Sequence, residues 1–103
     1  MSPSKSLTMD SFVIRSDRLI GNRVDNELVM IDLNSDNYYG LDPIATNIWE
    51  QITGPTRVSD LCDKLLEKYA VEKDQCQQDV LIFLEQMSKK GILNEVNESG
   101  KGI

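Results

Sequence analysis

The stretch ELVMIDLNSDNYYGLDPIATNIW, residues 27–49, decides the fold. Two short apolar runs, 28–33 and 38–41, flank Asn34, Ser35, Asp36 and Asn37. Such side chains bond nearby backbone and tolerate left-handed conformations, so they favour turns. The stretch therefore opens as a β-hairpin. Asp42 and Pro43 then start a helix over 43–52. Asp is a good N-cap, and Pro suits a first helical position, whose N–H needs no partner. Ile44, Ile48, Trp49 and Ile52 recur at helical spacing and give that helix one apolar face. In the first run Leu28, Met30 and Asp32 face one way, and Val29, Ile31 and Leu33 the other. Its middle is apolar on both faces, as in a central strand. In the second run Asn37, Tyr39 and Leu41 share one face, and Tyr38 and Gly40 the opposite one.

Upstream, 19–24 reads as a strand that Asp25 and Asn26 turn back into the hairpin. A weaker strand, 11–14, precedes it, broken at Ser16 and Asp17. The short connections predict a three-stranded antiparallel meander. Downstream, Thr53, Gly54 and Pro55 stop the first helix. A second helix is predicted over 59–69, with Ser59 as N-cap and Val58 stapled onto its first turn. Leu61, Leu65 and Leu66 form its core face, beside Cys62 and Tyr69. A third helix is predicted from Asp74, with Gln77 completing a capping-box variant, to Gly91, where Lys89 and Lys90 suit the negative helix end. Val80, Phe83, Leu84 and Met87 make its inward stripe. Leu81 and Ile82 widen that stripe, either as further core or as the edge of a groove. Ile92, Leu93 and Val96 suggest a terminal strand. The expected class is α+β: a winged helix-turn-helix, with a three-stranded antiparallel sheet followed by three helices. Residues 1–10 read as a flexible N-terminus, 11–96 as one domain and 97–103 as a flexible tail.

The chain has 103 residues, 40% hydrophobic and 27% charged, which suits one small globular domain. A net charge of −6 repels a phosphate backbone overall. The N-terminal sequence shows no signal-peptide pattern and no apolar run is long enough to span a membrane, so the expected location is cytoplasmic, with Cys62 and Cys76 reduced. Histidine, the commonest base and metal ligand, is absent. The two cysteines fall on apolar faces without ligand spacing and read as inert buried thiols. No phosphate-binding glycine loop occurs. No catalytic group, metal or cofactor is expected.

Ile31, Asp32 and Leu33; Tyr38, Tyr39, Gly40 and Leu41; Ile48 and Trp49; Val58, Leu61 and Leu65; Asp79, Val80, Phe83 and Leu84; and Gly91, Ile92 and Leu93 occur in that order. This pattern resembles the PqqD-like family, the recognition elements of ribosomally made and modified peptides, over residues 18–96. The resemblance implies a non-catalytic domain that binds the leader of a precursor peptide. It is most similar to the free-standing leader-binding partners of lasso-peptide proteases, with the PqqD chaperone of the pyrroloquinoline quinone precursor as the sister reading. The implied partners are a precursor leader and a separate transglutaminase-like protease, and a homodimer stays open.

The residues fit that mechanism. The 38–41 strand follows a turn and is expected at a sheet edge, where an extended peptide can add as a further strand. Family members use an apolar slot between strand and third helix. The matching positions are Tyr38, Tyr39, Gly40 and Leu41 from the strand and Asp79, Val80, Phe83 and Leu84 from the helix. Asp79 is suited to pair with a basic leader side chain, and Tyr38 and Tyr39 are both candidates to meet the peptide. The rival reading is a winged-helix DNA reader. Its recognition helix would carry exposed Arg or Lys. The third helix instead offers Gln75, Gln77, Gln78, Asp79, Glu85 and Gln86, with Lys only at its end.

Overall fold

A computed structural model describes residues 7–101. The hairpin at 27–41 forms as expected. β3 (Glu27–Asp32) runs between β2 (Leu19–Val24) and β4 (Tyr38–Leu41), antiparallel to both. Asp25 and Asp36 take left-handed φ values of 58° and 59° at the two turns, a conformation Asp tolerates better than most residues. α1 (Pro43–Gln51) follows at once. The Asp42 side chain accepts from the Ala45 N–H at 2.8 Å, and Pro43 opens the helix.

A second antiparallel sheet departs from the expected order of one sheet followed by three helices. β1 (Phe12–Arg15) is its central strand, between β5 (Thr56–Arg57) and β6 (Leu93–Val96). Its strands come from the start, the middle and the end of the chain, so no local pattern announces their pairing. The fold is α+β, with two three-stranded sheets and three helices among the described residues.

The β5 pairing also moves the start of the second helix. α2 is Val58–Lys68, with Arg57 rather than Ser59 at the N-cap and no side-chain cap. The early N–H groups of the helix need partners. Those of Val58 and Ser59 find the carbonyls of Ser11 and Met9, at 2.9 and 3.0 Å. The N-terminal segment thus does the work expected of a serine. It also ties itself down: Leu7 is buried, and its N–H donates to Glu85 Oε2 at 3.1 Å. The expectation of a loose segment over 1–10 fails from Leu7 onward, and for residues 1–6 it lies outside the described residues. At the other end Asn97 and Lys101 close a turn, where Asn97 Oδ1 accepts from Ser99 and Lys101 N–H groups.

α3 is Lys73–Lys89, one residue earlier than expected, with Glu72 at the N-cap and no capping box. Its C-terminus is a Schellman turn. Gly91 takes φ 77°, its N–H bonds the Ser88 carbonyl at 2.9 Å, and the Ile92 N–H bonds the Met87 carbonyl at 3.2 Å. Leu81 packs at the edge of the core, and Ile82 stays 54% exposed.

Trp49, Met30, Ile52, Leu61, Leu84 and Val13 sit at the centre of the core. A part-buried ion pair clasps the two sheets. Asp32, 2% exposed on β3, receives Arg18 Nε at 2.9 Å, and Arg18 Nη2 donates to the Gly91 carbonyl at 2.6 Å. The Arg18 hydrogen bond holds the Asp32 carboxyl below its ordinary value of 3.8, against the opposing effect of burial. A depressed carboxylate stabilises the fold above its unfolded value and loses that contribution as pH falls through the folded one. The urea midpoint of the wild type should therefore exceed that of Asp32→Asn at pH 7, and the gap should shrink below pH 3.8. An equal gap at pH 7 and pH 2.5 would refute the clasp.

Candidate functional site

β4 lies at the edge of its sheet. The Asp32 N–H donates to the Asn37 carbonyl at 2.9 Å, which sets the alternation of this antiparallel ladder. Residues 37, 39 and 41 turn their backbone polar groups toward β3. Tyr38 and Gly40 turn theirs to the open edge, where an incoming strand could take them. At the exit of β4 the buried Thr46 hydroxyl bridges the ladder. It accepts from the Leu28 N–H at 2.9 Å and donates to the Leu41 carbonyl at 3.2 Å.

Beyond β4 opens a pocket of about 320 Å³ framed by all three helices. α1 gives Ile44, Ala45 and Ile48, α2 gives Leu65, and Tyr69 and Val71 come from the connector. α3 gives Gln75, Cys76, Asp79, Val80 and Phe83, and Asp42 stands at the mouth. Its lining is mostly apolar, and an apolar concavity with a few polar groups at its rim is the usual form of a ligand site. Ile44 and Val71 remain 47% and 45% exposed in it, which leaves apolar surface for a ligand to cover.

The expected site residues divide into three groups. Asp79, Val80 and Phe83 line the pocket. Phe83 is half-buried, its ring edge-on to Trp49 with centroids 6.4 Å apart. Asp79 is exposed and accepts from Gln75 Nε2 at 2.9 Å. Tyr38, Tyr39 and Gly40 lie along the open strand, but their side chains split. Tyr38 is 72% exposed on the outer face. Tyr39 is half-buried on the inner face, with Lys90 Nζ 5.7 Å from its ring centroid. Leu84 and Leu41 are core residues, at 0% and 6% exposure, and contribute packing rather than contact surface.

Sequence reasoning missed Leu65, Tyr69, Val71 and Cys76 as pocket residues. They come from the joint between α2 and α3, whose placement no local pattern encodes. Ile44 carried a signal, since it belongs to the apolar repeat of α1. Cys76 is buried, as is Cys62, and both are free thiols. Burial, then the neighbouring Cys76, pushes the Cys62 thiol up to about 12, and burial raises that of Cys76 as well. Thiols held protonated are poor nucleophiles. Among the described residues no cluster of His, Cys, Asp and Glu could hold a metal ion, and no helix is long and apolar enough to cross a membrane.

The chain is 33% identical over 57 residues to a "PqqA binding protein" of Bradyrhizobium diazoefficiens, covering 55% of each chain. It is 34% identical over 58 residues to the protein of that name in Rhodopseudomonas palustris, covering 56% of this chain and 57% of the relative. It thus spans about half the length of the curated relatives it matches. Among solved structures it resembles TbiB1 in complex with the TbiA(beta) leader peptide, with a TM-score of 0.73 and 26% identity over 78% of this chain and 93% of that one. It also shares the fold of lasso peptide synthetase B1 complexed with the leader peptide, with a TM-score of 0.66 and 17% identity over 79% of this chain and 95% of that one. The family model described as Coenzyme PQQ synthesis protein D (PqqD) matches residues 27–93, which run from the first residue of β3 to the first of β6 and take in both the open strand and the pocket. The chain belongs to the PqqD family.

Proposed function

We propose that this chain binds the leader segment of a ribosomally made precursor peptide and hands it to a separate maturation protease, as in lasso-peptide pathways, without catalysing a step itself. One observation carries the reading: β4 has an edge that no described strand pairs, and the residue after it, Asp42, stands at the mouth of an apolar pocket framed by the three helices. A leader added to β4 as a further strand would bond the free backbone groups of Tyr38 and Gly40. Its inward side chains would reach the pocket, where Phe83, Ile44 and Val71 offer apolar contact. The likeness to TbiB1 in complex with the TbiA(beta) leader peptide supports leader binding, and the lasso branch rests on the sequence resemblance. The two relatives named for PqqA binding support the alternative, a chaperone of the quinone precursor.

Delivery needs no catalytic group on this chain. Holding the leader on a protein that also docks a protease makes the second encounter intramolecular and raises its effective concentration. The expected result is that adding this protein accelerates leader removal by the cognate protease. Phe83→Ala should weaken that acceleration, and its fold should be checked by circular dichroism because Phe83 also packs on Trp49.

Fluorescence anisotropy distinguishes the branches. Labelled leaders of a lasso precursor and of a PqqA-type precursor, and a labelled DNA duplex, are titrated with the protein at physiological salt. Saturable leader binding with a flat duplex titration is expected. The exposed part of α3 carries Gln75, Gln78, Asp79 and Gln86, with lysines only at its two ends, Lys73 and Lys89. A duplex has little on such a surface to hold it. Sub-micromolar duplex binding with no leader binding would overturn the proposal. Cleavage of the precursor by this chain alone would overturn its non-catalytic part.

A further inference from the structure

We propose, resting on the leader-binding reading, that the leader's path from the pocket along β4 to the end of α3 is electrically polarised and so selects both the charge order and the direction of the peptide. At the exit of β4 the charged residues lining the pocket are Asp42 and Asp79, and both are exposed. Oδ1 of Asp42 accepts from the Ala45 N–H, and Oδ1 of Asp79 accepts from Gln75. Each carboxylate has acceptor capacity left. At the entry of β4 lysines face the strand from the cap of α3, with the exposed Asp36 in the turn before it. Lys90 holds its Nζ 5.7 Å over the Tyr39 ring, and Lys89 precedes it. Among the described residues none of Asp42, Asp79, Lys89 and Lys90 is in an ion pair. Two cations lie near the acidic end, Lys68, held 5.7 Å over the Tyr69 ring, and the exposed Lys73 at the start of α3.

Asp79 and Lys90 belong to one helix and its cap, so their spacing is fixed. Eleven residues at a rise of ~1.5 Å separate them by about 16 Å. An extended peptide advances ~3.3 Å per residue and covers that distance in about five residues. Side chains alternate between faces of a strand, so only even separations put both charges on the same side, which leaves about four or six residues. An antiparallel pairing is the more stable one. A peptide antiparallel to β4 starts at the pocket and ends beside Lys90. The preferred leader therefore carries Lys or Arg first, over Asp42 and Asp79, and Asp or Glu four or six residues later, beside Lys90. An acidic protein binding a basic peptide by net charge alone would show no such order.

The test uses synthetic peptides with one alternating apolar framework and three charge patterns: Lys then Glu six residues later, the same two residues exchanged, and Ala at both. Anisotropy titrations are run at 50 mM and 1 M NaCl against wild type, Asp79→Asn and the exchange variant Asp79→Lys/Lys90→Glu. Both positions are exposed, and circular dichroism checks the fold. For wild type at 50 mM salt the Lys-first peptide should bind about five times tighter than the Glu-first one, the scale of two exposed ion pairs. Asp79→Asn should narrow the difference, and the exchange variant should reverse it. At 1 M salt, where the screening length is about 3 Å, the preference should collapse. Equal affinities for all three peptides would overturn the polarity and leave leader binding standing. Absence of binding by all three peptides, together with absence of binding by the natural leaders, would overturn both.

Discussion

Gly40→Pro is expected to weaken leader binding roughly thirtyfold while leaving the fold intact. The Gly40 N–H points to the open edge of β4, and the ladder to β3 runs through residues 37, 39 and 41. Proline removes only the outward donor, and edge strands accept it for that reason. Tyr39, which would precede the proline, is already extended in β4, the conformation such a position requires. The substitution deletes one backbone bond to the leader and strands the leader's acceptor at the interface. Together these cost about 2 kcal/mol. Gly40→Ala is the control, because a Cβ there meets no atom within 4 Å, and it should bind like wild type. An unchanged dissociation constant for a folded Gly40→Pro protein would rule out strand addition at β4.

Thr46→Val should destabilise the protein by about 2–3 kcal/mol, although the two side chains have similar shape. The Thr46 hydroxyl satisfies a buried donor, the Leu28 N–H, and an acceptor, the Leu41 carbonyl. Valine keeps the volume and strands both groups, and each unsatisfied buried group costs about 1–3 kcal/mol. Thr46→Ser keeps the hydroxyl and loses a methyl group, at about 1 kcal/mol. Urea unfolding at neutral pH reads the order directly, wild type above Ser above Val, with the Val midpoint lowered by about 1–2 M. If Val unfolds at the same midpoint as Ser or later, the bridge does not hold the ladder. Because that bridge ties the exit of β4 to α1, Thr46→Val should also weaken leader binding beyond what its residual folded fraction explains.

The hairpin over 27–41 and the helix after it were legible because their determinants are local. Period-two alternation, Asp-rich turns and the cap at Asp42 act within a few residues of one another. The same alternation placed Tyr39 and Leu41 on one face and Tyr38 on the other, although only the structure shows that the Tyr39 face is the one turned inward. The second sheet was not legible, since β1 alone says nothing of Thr56 or Leu93 and its pairs form between distant parts of the chain. The failure at Ser59 has the same root. A serine there suits a cap, but the carbonyls of Met9 and Ser11 arrive first, carried by a segment some fifty residues away in the chain.

For the site, the residue types of α3 marked out a helix face, and burial then divided it. Leu84 turns fully into the core, Phe83 half out of it, and Asp79 stands at the pocket rim. The sequence by itself determined the β2-β3-β4 order, since short turns join neighbouring strands, whereas the structure shows that no described strand pairs with the outer side of β4. Only the tertiary structure decided that the pocket is closed by the α2–α3 joint, through Leu65, Tyr69 and Val71, and that Asp79 and Lys90 stand toward opposite ends of β4. Those arrangements depend on how three helices pack, and packing is set by contacts between residues that no repeat in the chain relates.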